Sequence, residues 1–131
     1  MNINFEISAV IDASPQQIYE AWLDSDQHSA MTGGEAFVTN SVGDSFDAWD
    51  GYIEGKNIEL KKNEAIIQHW RTSEFILSDE DSLLEIFMEE HSGGCMLTIK
   101  HSHLPAHGMQ YKQGWIDNYF NPMTAYFANI K

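Results

Sequence analysis

The chain has 131 residues, with 20 acidic side chains against seven basic ones and a net charge of −13. The length suits one domain with a single core, spanning 1–131. A content of 43% hydrophobic and 21% charged residues excludes a disordered chain. The acidity excludes the basic footprint that nucleic acid or an anionic membrane surface requires.

In chain order, Ile3, Phe5, Ile7, Ala9 and Ile11 alternate with Asn4, Glu6, Ser8 and Val10, the period of a half-buried strand. Ser14-Pro15-Gln16-Gln17 then reads as a helix start. Ser14 is the N-cap, Pro15 takes the first helical position and Gln17 completes a capping box. Ile18, Ala21 and Trp22 share one face of that helix. Residues 24–30 form a second short helix or turn, broken at Thr32-Gly33-Gly34.

From Glu35 to Ser102 strand follows strand, over 36–39, 45–49, 52–60, 65–71, 82–90 and 94–102. The breaks are short and rich in turn residues, which predicts an antiparallel meander. Asp50-Gly51 predicts a two-residue hairpin. Apolar parity changes across Gly55, from Ile53 to Ile58 and Leu60, and predicts a bulge there. From about 108 to 131 the period becomes helical. Met109, Ile116, Tyr119, Phe120, Met123, Phe127 and Ile130 fall on one side, with Trp115 and Tyr126 at its edge. Pro122 removes a backbone donor inside this helix and predicts a kink or a split.

This order gives an α+β fold: a curved antiparallel sheet of six to seven strands, two short helices after the first strand, and a long C-terminal helix over the hollow. The hollow between such a helix and sheet favours a ligand site. The same order resembles the helix-grip fold of the START and birch-pollen-allergen superfamily (SRPBCC). More narrowly, it resembles stand-alone relatives of the C-terminal domain of the activator of heat-shock protein 90 ATPase. The residues that carry the likeness are the run from Ser14 to Trp22, Gly43-Asp44-Ser45-Phe46 leading to Gly51-Tyr52-Ile53-Glu54-Gly55, Glu59-Leu60, Trp70-Arg71 and Gly114-Trp115. The resemblance spans nearly the whole chain and implies the fold. It leaves function open, because the superfamily includes binders, transporters, cyclases and co-chaperone domains. The full activator has a separate N-terminal domain that supplies much of its grip on the chaperone, and 131 residues leave no room for it.

The candidate pocket residues are Phe46, Trp70, Ile86, Met88 and Ile99 from the sheet, with His101 at the mouth. From the helix they are Trp115, Tyr119, Phe120 and Met123. The helical stripe serves equally as ordinary core. His101 and His103 sit two apart and share a strand face; His107 would complete a zinc set, but surface or loop roles suit these histidines better. Arg71, the single arginine, pairs with a carboxylate such as Glu59 or Glu85, or serves as counter-ion for an acidic head group. Asp44, Asp47, Asp50 and Glu54 lack calcium-loop spacing and read as a solvated edge. Cys95 lies in a Gly-Gly turn as an inert thiol and has no disulfide partner.

No metal or cofactor is expected. The first ten residues have no basic start, and no run approaches the ~20 apolar residues of a membrane span. A soluble cytoplasmic protein is the expectation. The leading function is non-catalytic binding of an apolar or amphipathic small molecule (a lipid, an aromatic or a polyketide-like compound). Two alternatives are a co-chaperone-like module with a protein partner, and an aromatase or cyclase using His101 with Tyr119 as an acid–base pair.

Overall fold

The computed structural model describes residues 2–130, so the helical reading at Lys131 and the start of the N-terminal reading at Met1 lie outside it. Strand β1 (Ile3–Ile11) leads into helix α1 (Pro15–Trp22) and helix α2 (Ser25–Thr32). Then come β2 (Ser45–Ala48), β3 (Ile53–Lys61), β4 (Ala65–Thr72), β5 (Ser82–His91) and β6 (Gly94–Leu104). All six strands form one antiparallel sheet in the order β1-β6-β5-β4-β3-β2. The C-terminal helix follows as α3 (Gln110–Trp115), a π turn (Ile116–Phe120) and α4 (Asn121–Asn129). This is the expected helix-grip α+β architecture.

Local chemistry explains each start. The Ser14 hydroxyl accepts from the Gln17 amide at 3.1 Å, and the Gln17 side chain accepts from the Ser14 amide at 2.8 Å. That reciprocal box satisfies two donors that a helix start leaves open. Asp24 caps α2 by accepting from the Gln27 amide at 2.9 Å. Cys95, Leu97, Ile99 and His101 of β6 face inward beside Leu84, Ile86 and Met88 of β5. Ile18, Trp22 and Met31 from the short helices, and Met123 and Phe127 from α4, complete that core.

Several local expectations shift. Residues 36–39 form no strand; one bridge joins Phe37 to Asp47. The hairpin at Asp50-Gly51 has a four-residue loop, because Ala48 pairs with Ile53. Its residues Trp49, Asp50 and Gly51 all have positive φ, at 53°, 57° and 86°. The bulge in β3 falls between Asn57 and Glu59, not at Gly55. Gly55 answers a different need: a Cβ there would sit 1.9 Å from the His69 carbonyl oxygen and 2.7 Å from the Phe46 ring. A further bulge places Ser102 and His103 opposite the single residue Asn4, with His103 at φ 58°. Leu104 therefore takes the inward place that alternation assigned to His103.

Pro122 divides the helix as expected, through a π turn just before it. The Asn121 amide reaches back five residues to the Ile116 carbonyl. This i→i+5 turn takes in one extra residue. It also advances the buried stripe, so Tyr111 turns in while Met109 is left exposed.

Gly55→Ala forces a methyl group into backbone that has no room for it. We expect a loss near the upper end for overpacking, about 3 kcal/mol, in urea unfolding. Ser14→Ala should cost about 1 kcal/mol by the same measurement.

Candidate functional site

Where α3 and the π turn cross β4, aromatic rings surround a pocket of about 210 Å³. Trp70, Tyr111, Trp115 and Tyr119 are its buried walls. Trp49 and Tyr52, on either side of the Asp50-Gly51 turn, are its more exposed walls. Ile53, Gly114 and Asn118 complete the lining, which contains no ionisable acid or base of the Asp, Glu, Lys, Arg or His type. The rings brace one another: Trp70 meets Tyr111 edge-on at 5.0 Å, and Trp115 lies 4.8 Å from Tyr119. Such contacts add to ordinary burial.

The polar tips of Trp115, Tyr119, Tyr111 and Tyr52 are bound by the protein. The Trp115 indole N–H donates to His101 Nδ1 at 3.0 Å. Ser82 Oγ donates to the Trp70 carbonyl at 2.7 Å, so at 2.8 Å it must accept from His101 Nε2. His101 is thus the neutral Nε2–H tautomer with both nitrogens used. A second buried histidine repeats the device. His28 Nδ1 donates to the Trp22 carbonyl at 2.8 Å, and Nε2 accepts from the Tyr119 hydroxyl at 2.8 Å. The Tyr111 hydroxyl is 2.6 Å from Thr72 Oγ1 and 3.2 Å from His107 Nε2. The Tyr52 hydroxyl donates to Glu74. The pocket therefore presents ring surface, with the Asn118 amide beside it.

Gly114 keeps the pocket open. A Cβ on it would meet nothing closer than Asn118 Nδ2 at 3.9 Å. Glycine inside a helix costs about 1 kcal/mol relative to alanine, so an uncrowded glycine here gives up stability for space. Trp49 is also held against local preference. A bulky residue at positive φ is strained, and its ring packs where a Gly34 Cβ would fall, 2.5 Å away. Its indole nitrogen is buried without a hydrogen-bond partner.

Of the residues expected to line a ligand site, the structure gathers Trp70, Trp115 and Tyr119 around this pocket. Ile86, Met88, Ile99, Phe120 and Met123 pack in the core away from its lining. Phe46 covers Gly55 and borders a separate groove at the β2 edge. His101 sits behind the pocket, bonded to Trp115. Sequence reasoning missed Trp49, Tyr52, Tyr111, Gly114, Asn118 and the buried His28. The aromatic pair flanking Asp50-Gly51 and the isolated glycine in a helical pattern were the available signals.

Other readings are corrected by geometry. His101, His103 and His107 do not converge, and among the described residues no three His, Cys, Asp or Glu groups are placed to hold a metal. His101 does not pair with Tyr119, since both have other partners. Arg71 pairs with Asp81 at 2.8 Å instead of Glu59 or Glu85, and donates to the Asp79 and Ile76 carbonyls. It thereby fastens the β4–β5 connection. Cys95 lies buried on β6 opposite Ile11, not in the turn, and burial raises its pKa. Asp44 and Asp50 accept from Thr39 Oγ1 and the Glu35 amide at the exposed sheet edge. No helix among the described residues is long and apolar enough to cross a membrane.

Fold and pocket together define a helix-grip protein. The chain belongs to the family described as Activator of Hsp90 ATPase homolog 1-like protein, whose model matches residues 12–128. No curated protein matches it significantly. Among solved structures it is similar to an HSP90 activator from Plasmodium falciparum, with a TM-score of 0.86 and 21% identity over 96% of each chain. It is also similar to CalU16 from Micromonospora echinospora, with a TM-score of 0.73 and 18% identity over 97% of this chain and 74% of that one. Ara h 8.0201 matches with a TM-score of 0.74 and 13% identity, over 98% of this chain and 99% of the other. At these identities the likeness concerns fold.

Burial lowers the His28 pKa from 6.5 to about 4 and that of His101 from 6.5 to about 3. Below pH 6.5 the unfolded chain therefore binds protons that the fold refuses, and stability falls as pH drops. Between pH 6 and 4 each histidine should contribute up to about 1.4 kcal/mol per pH unit to that fall. Chemical unfolding across this range should show the slope, and His28→Gln should remove one histidine's share of it.

Proposed function

We propose that the protein binds a small apolar or amphipathic molecule in the aromatic pocket between the sheet and the C-terminal helix, without catalysis by the pocket's own residues. The single observation that carries this reading is Gly114: an uncrowded glycine inside a helix, facing open space bounded by rings. A π turn at the same place agrees with it, since such turns recur at functional sites. Strain at Trp49 agrees as well. The volume of about 210 Å³ suits a ligand of one or two rings; larger sites of about 300–1,000 Å³ are usual for drug-sized ligands. Catalysis draws no support from His101 and Tyr119, whose polar atoms are engaged with core partners.

A second reading, a protein-interaction module, rests on the β4–β5 connection. Ile76 and Leu77 point into solvent there, with Leu77 fully exposed. The turn is nonetheless ordered by Arg71 and by the Asp79 carboxylate on the Ile76 amide. Ordered, exposed aliphatic side chains suit a partner surface. Leu77→Asp should then abolish capture of a heat-shock protein 90 partner without changing the melting temperature; failure of the unaltered chain to bind that chaperone in a titration removes this reading.

The pocket is tested with indole and naphthalene probes in a thermal-shift assay. Ligand at about 100 times its dissociation constant adds about 2.7 kcal/mol of stability, a shift of several degrees. Gly114→Leu should fill the pocket and abolish the shift, whereas Gly114→Ala should raise the unliganded stability by about 0.5–1 kcal/mol. Absence of a shift with every small probe, ring compounds and small amphipathic molecules alike, would falsify the pocket reading.

A further inference from the structure

We infer that the ligand is a small organic cation, a substituted ammonium whose charge sits against the aromatic walls. This deepens the binding function proposed above and rests on it. Three observations converge. First, six of the nine lining residues are Trp or Tyr. Rings carry negative potential on their faces and attract cations, most strongly where water is displaced. Second, nothing cationic competes. The lining contains no lysine, arginine or histidine, and the single arginine is held elsewhere by Asp81 and two carbonyls. The nearby histidines are neutral and already bonded, so neither places a positive charge behind the walls.

Third, the charge that does adjoin the pocket is negative. Glu74 accepts from the Tyr52 hydroxyl and, at 3.1 Å, from the Gln110 amide. Neither donor carries a positive charge to offset this acidic side chain, which lies beside an exposed pocket wall. The chain as a whole carries −13, which draws cations and repels anions. A neutral aromatic ligand would use the ring surface alone. An anionic one would meet Glu74 without a counter-ion. A substituted ammonium uses both features, because alkyl groups spread its charge and lower the cost of leaving water.

Choline and its uncharged isostere, with tert-butyl replacing trimethylammonium, separate charge from shape. Both are titrated by calorimetry and by tryptophan fluorescence, since Trp49, Trp70 and Trp115 all line the pocket. We expect choline to bind about tenfold more tightly than the isostere. Gly114→Leu should abolish choline binding with the melting transition retained. Asn118→Trp, which adds bulk from an exposed position, is a second block should the first variant unfold. Equal affinity for the two probes overturns the cation assignment and leaves the pocket reading standing. So does binding of indole with no binding of choline. Choline binding that survives both blocking variants also overturns the assignment, because it then reflects the acidic surface. Failure of choline, isostere and ring probes alike removes both readings.

Discussion

The relation of helix to sheet depends on one chain of neutral hydrogen bonds, from the Trp115 indole through His101 and Ser82 to the Trp70 carbonyl. It fixes the rotation of α3 over β4 and β6. Tyr119, bonded through His28 to the end of α1, fixes the next turn of the same helix against α1 and α2. Each histidine is held as a single tautomer, so each link has a direction: one accepts from the helix at Nδ1, the other at Nε2. A protonated His101 would present N–H to the Trp115 N–H and break that link, whereas a protonated His28 would turn the Tyr119 hydroxyl from donor to acceptor. Together the two links hold the aromatic residues at a standing distance from Trp49 and Tyr52, and the pocket is what that distance leaves.

Much of this was legible from the residues. Period-two alternation located β1, and the Ser14-Gln17 box located α1, because both are local and repetitive signals. The turn residues gave the meander, and the aromatic helix announced itself as the cover. What was hidden is non-local. Nothing near His103 shows that Asn4 opposes two residues of β6, so alternation ran one step too far. The parity change in β3 was real, but Gly55 attracted the bulge assignment because glycine serves bulges and close approaches alike. The pocket was half legible: Trp70, Trp115 and Tyr119 were named, while Trp49 and Tyr52 looked like parts of a turn. Their role depends on a four-residue loop with three left-handed residues, which the Asp-Gly signal does not specify.

Charge is distributed with a consistent logic. Acidic groups lie along the exposed sheet edge and beside the pocket, while the polar interior is neutral. Arg71 ties down the exposed Ile76–Leu77 turn instead of serving the pocket. The family match over residues 12–128 takes in all nine residues that line the pocket, while the likeness to solved structures of under 25% identity concerns the fold.

The π turn has a consequence for how the helix must be compared with others. A regular helix advances ~100° per residue, so an extra residue at 116–120 leaves the two halves on different helical wheels. Tyr111 and Trp115 belong to the wheel that meets Trp70; Met123 and Phe127 belong to the wheel that meets the core. An uninterrupted α-helical relative is related to this segment by a one-residue gap, and a gapless superposition would pair each pocket residue with a neighbour of the wrong face. Correspondence between relatives is preserved on either side of the turn but not through it, and the two halves are free to diverge under separate constraints.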